Sequence, residues 1–121
     1  MIARVLAVAL AAVAIVVAVH ALRADHRCAQ VRDRATRAAR AQLAGFAREV
    51  AERCSDPRDG AWVIGVAMLR GDRGTAIDLA RRMTRSSPDD YLGWLGLYRL
   101  TGDRGALQRA HELNPRAAPL T

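Results

Sequence analysis

The chain has 121 residues and a formal charge of +7, room for one domain or two small ones. Aromatic residues make up only 4%, which argues against a β-sandwich or barrel built on aromatic and β-branched strands. All 19 basic residues are arginine and alanine is the commonest residue. Such a composition follows a GC-rich, bacterial coding bias and weakens any reading of single arginines as selected for chemistry.

The first element is apolar on every face. Val5 to Val19 contains no polar residue, and Ile2, Ala3, Ala21 and Leu22 extend the run with only Arg4 and His20 interrupting it. At a helical rise of about 1.5 Å per residue this approaches the ~30 Å hydrocarbon core of a bilayer. Residues 1–22 read as a single-pass transmembrane anchor, with Arg4 and Arg23 able to snorkel at its two ends. The alternative is a secretory signal peptide with Arg4 as its basic region and cleavage after Ala21.

Two signals disagree on orientation. Arg23, Arg27, Arg32, Arg34, Arg37 and Arg40 follow the span, and the positive-inside rule would hold that flank in the cytoplasm. Against it, Cys28 and Cys54 both lie beyond the span and are even in number, as in an oxidising compartment. The preferred reading is an extracytoplasmic C-terminal domain.

Residues 23–55 form the next unit, a helical hairpin or stalk. Cys28, Val31, Ala35, Ala38, Ala39, Leu43, Phe46, Val50 and Cys54 recur at steps of three or four, one helical face. A single helix would hold the two cysteines roughly 39 Å apart, far beyond the ~7 Å Cα limit for a bridge. A hairpin turning near Ala41–Gly45 brings them to one open end, and a Cys28–Cys54 disulfide is the expectation. The alternative is two unpaired, buried thiols. His26 beside Cys28 does not gather four ligands with the remaining histidines, so neither a metal nor another cofactor is expected.

An internal repeat occupies residues 56–115. Leu69-Arg70-Gly71-Asp72-Arg73-Gly74 recurs as Leu100-Thr101-Gly102-Asp103-Arg104-Gly105, 31 positions on, and Gly65 and Gly96 share that offset. Each unit reads as two helices. Asp56-Pro57 and Ser87-Pro88 open the first helices, with Ser87 as cap and Pro88 at the first helical position. Gly71 and Gly102 end those helices in a left-handed conformation, and Asp72 and Asp103 cap the second helices. Trp62, Tyr91, Trp94 and Tyr98 are expected in the core, with Tyr98 the one to show a polar tip. Residues 116–121 are expected to fray.

Trp94, Gly96 and Tyr98, the Gly-Asp turns, Ala76 and Ala106 in the second helices, and Pro88 and Pro115 closing the units together resemble the tetratricopeptide repeat family. The units measure 31 and 27 residues by their prolines, against about 34 in the family. The resemblance implies an all-α fold: a transmembrane helix followed by a short stack of antiparallel helix hairpins, binding peptides or protein surfaces without catalysis. The 23–55 hairpin would supply the third helix pair that a stable stack needs. In this family the first helices line the groove, which makes Arg70, Arg99 and Tyr98 the candidate partner contacts.

Other chemistry finds little support. The Gly-Asp-Arg-Gly turns lack the Lys and Ser/Thr of a phosphate loop, and no nucleophile has a signalled base. Glu49 and Glu52 read as solvated partners of Arg48 and Arg53. Arg23–Arg40 can contact anionic lipid heads; a nucleic-acid role lacks a reading helix or interleaved aromatics. The expected function is a membrane-anchored, non-enzymatic scaffold at the cell envelope, with a lipid-binding surface module or a secreted soluble factor as alternatives.

Overall fold

The computed structural model describes residues 1–120 and, among them, six α-helices and no strand. Helix α1 spans Ile2–Arg37, α2 Leu43–Arg53, α3 Pro57–Leu69, α4 Arg73–Ser86, α5 Tyr91–Thr101 and α6 Arg104–Leu113. Each consecutive pair α1/α2, α3/α4 and α5/α6 packs together, and each pair packs on the next.

Helix α1 is one uninterrupted helix of 36 residues. Its first half is the only segment of the described residues long and apolar enough to cross a membrane, and none of it is covered by the rest of the chain. Ile2, Leu10 and Val16 are all well exposed. The second half carries the buried stripe Cys28, Val31 and Ala35. The same helix therefore passes from the apolar run into the packed domain without a hinge.

The hairpin expected over residues 23–55 is present, and Cys28 and Cys54 form a disulfide across a Cα separation of 5.8 Å. Its turn lies earlier than the only glycine of the stretch suggests. Ala38 and Ala39 are extended, a single 3-10 turn follows at Arg40–Gln42, and Gln42 Oε1 accepts from the Ala39 amide. Gly45 lies inside α2. Two extended alanines and one side-chain cap suffice to reverse the chain, so no left-handed residue is needed.

Most helix ends follow the sequence chemistry. Asp56 accepts from the Arg58 amide with Pro57 in the first turn, Asp72 from the Thr75 amide, and Asp103 from the Gly105 and Ala106 amides. Gly71 and Gly102 have φ of +71° and +74°. At Gly71 the amides of Gly71 and Asp72 bond back to Met68 and Ala67, which satisfies the last carbonyls of α3. The start of α5 differs from expectation. Ser87 does not cap it; Asp90 does, accepting from the Leu92 amide at 2.8 Å. Ser87-Pro88-Asp89-Asp90 is a turn ahead of the helix, closed by Asp90 N donating to Ser87 O, and the Pro88 carbonyl accepts from Trp94 Nε1.

The core is built from small residues that let helices approach. Ala67, Ala76, Ala80 and Ala106 pack with Leu43, Leu97 and Leu100, while Val31, Ala35, Ala47, Val50, Val63, Leu79 and Met83 join the first two pairs. A Cβ on Gly60 would meet Met83 Sδ at 2.6 Å, and one on Gly93 would meet Met83 Cβ and the Thr84 amide at 3.1–3.2 Å. The starts of α3 and α5 thus both approach α4 at Met83. Gly65 and Gly96, which mark the repeat in sequence, have no such close neighbour.

The C-terminal segment turns back on α6 over its described part. Asn114 accepts from the amides of Ala117 and Ala118, Ala118 is fully buried, and its carbonyl bonds to His111 Nδ1 at 2.9 Å. Ala118 completes an apolar cluster with Leu107, Ala110, Tyr91, Trp94, Leu95 and Tyr98.

Candidate functional site

Helix α3 is apolar on two sides. Val63, Val66 and Ala67 face the core, whereas Trp62 is 52%, Met68 42% and Leu69 88% exposed. Trp62, Gly65 and Leu69 are three and four positions apart, so they share one outward face. Large apolar side chains left in water on an ordered helix mark a contact surface more often than scattered single residues do. The expectation that Trp62 is a core residue is therefore corrected. Its neighbour Val63 takes the inward position, and the indole caps the seam between α3 and α1 by donating from Nε1 to Thr36 Oγ1 at 3.1 Å. Tyr91, Trp94 and Tyr98 are half-buried and pack against the core as expected.

The three candidate contacts occupy different settings. Arg70, at the end of α3, donates from Nη2 to the Thr36 carbonyl at 2.7 Å. Tyr98 is half-buried between two apolar clusters. Arg99 faces solvent and makes no ion pair among the described residues. The α3–α4 turn reaches both of its neighbours, since Arg73 Nη2 donates to the Leu100 carbonyl of α5 while Arg70 serves α1. Each guanidinium meets the carbonyl end of a helix, where the dipole favours a cation. The Arg70-Gly71-Asp72-Arg73 turn is thus a tie between three helix pairs rather than a phosphate cradle.

An ion pair that sequence periodicity did not reveal, its carboxylate buried and its guanidinium partly exposed, joins α1 to α3. Arg32 Nε lies 3.0 Å from Asp59 Oδ1, and Asp59 is 7% exposed. Burial raises the Asp59 carboxyl above its ordinary value, and Arg32 opposes the rise. Asp59 sits three residues after the Asp56 cap, the position of a capping box, which hides its tertiary role in the sequence. An Asp59 oxygen and the sulfurs of Cys28 and Cys54 lie within 4.8 Å of one another. Thiolates are the metal-binding form of cysteine, and here the two sulfurs are bonded to each other.

The other shifted groups belong to helix ends and surface pairs. Hydrogen bonds from Arg58 hold the Asp56 carboxyl below its usual range, and those from Thr75 do the same for Asp72. Glu49 pairs with Arg53 at 3.7 Å along α2, the solvated pairing that its spacing predicts. What the arrangement offers chemically is an apolar helix face with guanidinium groups at its turn end. No family model matches the chain, and no curated protein or solved structure matches it.

Proposed function

We propose that this protein is a membrane-anchored, non-enzymatic scaffold whose tetratricopeptide-like helix pairs hold a protein or peptide partner. The observation that carries the reading is the outward face of Trp62 and Leu69 on α3, with Met68 exposed about a third of a turn away, on a helix whose other side is already packed. Three helix pairs packed in chain order support the repeat reading, because such units close a core only by stacking. The partner presents apolar side chains to this face, with the free nitrogens of Arg70 beside Leu69 for carboxylates. The domain lies outside the cytoplasm, a reading supported by the Cys28–Cys54 bridge, and α1 holds it to the membrane.

A photo-crosslinking amino acid placed at Leu69 in the full chain, in intact cells, tests this. A discrete protein adduct is expected at Leu69, several-fold weaker after Trp62→Ala and absent when the probe sits at exposed Gln108 on α6. Equal labelling at both positions, or none at Leu69, would sink the scaffold reading. Impermeant maleimide applied after reduction reports sidedness: labelling of Cys28 and Cys54 in intact cells is expected, and labelling only after lysis reverses the topology.

A further inference from the structure

The Cys28–Cys54 bridge is not sealed inside packed side chains. Both of its residues line a cavity of about 450 Å³ between α1 and α2, together with Val31. The two halves of the bridge differ in access. Cys28 is only 7% exposed, whereas Cys54 is half-buried. Cys54 also borders a separate pocket beside Pro57 and Met83, to which Cys28 does not contribute. The Cys54 half is therefore the more open to a reagent from solvent.

The charge around the bridge is one-sided. Arg27, Arg34 and Arg53 line the cavity against the single carboxylate of Glu49. Glu49 is already paired with Arg53 at 3.7 Å. Arg27 has no ion pair among the described residues, and Arg34 donates only to the Gln30 carbonyl of its own helix. An Asp59 oxygen lies within 4.8 Å of both sulfurs, but Arg32 offsets its charge at 3.0 Å. An excess of positive charge remains. It bears on sulfur chemistry by two routes. Thiolate, not thiol, attacks a disulfide, and nearby guanidinium groups favour the thiolate form. A concave site lined by one sign of charge also concentrates solutes of the other sign. Neither route needs the guanidinium groups to meet at one atom, because a field falls off gradually with distance.

We propose that this cavity is a thiol–disulfide exchange site, at which a small carboxylate-bearing thiol opens the Cys28–Cys54 bridge of the folded chain. The size of the cavity suits a small molecule, and its charge selects an acidic one. In the first step the incoming thiolate attacks Cys54 Sγ and forms a mixed disulfide with it. The bond to Cys28 Sγ breaks, and Cys28 leaves with the electron pair as a thiolate. Cys28 then takes a proton from solvent, and as a thiol it can donate to the Arg53 carbonyl, 3.8 Å from its sulfur. In the second step another thiolate attacks the small molecule's sulfur in the mixed disulfide and releases Cys54 as a thiolate, which also takes a proton from solvent. The bridge gains two electrons and two protons, and two thiols are oxidised to their own disulfide. Opening removes the covalent link between α1 and α2, the one disulfide that the two cysteines of this chain can form.

The test treats the oxidised full chain, in neutral detergent, with mercaptosuccinate, 2-mercaptoethanol or cysteamine, which carry negative, no and positive charge. Freed thiols are trapped with a maleimide and counted by mass. Each rate is divided by the same thiol's rate on a small neutral disulfide, which removes its intrinsic reactivity. The rate is expected to rise in proportion to thiol concentration. Mercaptosuccinate is expected to be preferred over cysteamine about tenfold, the lower end of electrostatic focusing. The preference should collapse in about 1 M salt, where the Debye length is ~3 Å. Arg27→Ala and Arg34→Ala each shrink it at least about twofold, the weight of one charge at about 10 Å in water. Arg104→Ala, on exposed α6 surface, leaves it unchanged. A rate that stops rising with thiol concentration means that the chain must first unfold around the bridge, and overturns the site. Equal preference for the three thiols, or a loss for Arg104→Ala as large as that for Arg27→Ala, overturns the cavity as the source of selectivity. The concentration and salt series use the unsubstituted chain, so they decide the matter even where a variant fails to fold.

Discussion

The two ends of the helical domain solve the same problem by different means. A short stack has two terminal faces with no neighbour to cover them. At the N-terminal end the α1/α2 pair is closed covalently, by Cys28–Cys54 at the mouth of the hairpin. At the C-terminal end the α5/α6 pair is covered by its own tail, with Ala118 buried against Leu107 and Ala110 and held by His111. The first device acts on the unfolded chain, by shortening its accessible loops. The second acts on the folded state, by covering apolar surface. The covalent closure is at the end that α1 joins to the apolar run, and the soft closure is at the opposite end of the stack.

Breaking the covalent end has the largest expected effect. Cys28→Ala with Cys54→Ala removes a bridge across a sequence separation of 26 residues, worth roughly 3.5 kcal/mol in the loop-entropy account. Urea unfolding of the oxidised and double-variant chains measures it, and a shift below about 1 kcal/mol would show that hairpin packing alone holds α1 to α2. At the soft end, a chain ending at Asn114 loses the buried Ala118 and the His111 hydrogen bond. The expected loss is about 1 kcal/mol, with faster amide exchange confined to α5 and α6. Faster exchange spreading to α2 would mean that the two ends are not independent.

The smallest effect is on pH dependence, and it separates the ion pair that ties α1 to α3 from the helix caps by sign. The Asp59 carboxyl is raised in the folded chain, so the folded state binds more protons than the unfolded state just above the model-peptide value of 3.8. Its contribution to stability therefore falls as pH rises through that window. Asp56 and Asp72 are lowered, so theirs is present above 3.8 and lost as pH falls below it. Asp59→Asn is expected to remove the first slope and leave the second, read from urea midpoints between pH 3 and 6; an unchanged profile would mean that Arg32 fully compensates the burial of Asp59.

Much of the architecture was legible because it depends on local chemistry. Asp72, Asp103, Gly71 and Gly102 are read correctly since a cap or a left-handed turn needs only the residues within four positions of it. The cysteine pair was legible because a hairpin brings together positions equidistant from its turn. The misreadings share a cause. Pro88 looks like a helix start, as Pro57 is, yet the Trp94 indole takes the Pro88 carbonyl and the helix begins after Asp90. Trp62 looks like core, yet Val63 beside it already fills that space. Gly65 and Gly96 mark the repeat in sequence, yet the close approaches to Met83 are made by Gly60 and Gly93. In each case periodicity assigns a class of residue to a face, and a neighbour distant in sequence decides which member of the class occupies it.

By itself the sequence determined an all-helical chain, its apolar leader and the ends of most helices, because hydrophobic period, caps and left-handed glycines act within a turn or two. Only the tertiary structure decided that α1 runs unbroken into the domain's core, that Arg32 meets Asp59, that the tail folds back on α6 and that α3 leaves Trp62 and Leu69 in solvent. Those outcomes depend on which surfaces remain after the helices have packed, a property of the whole assembly that no local window contains.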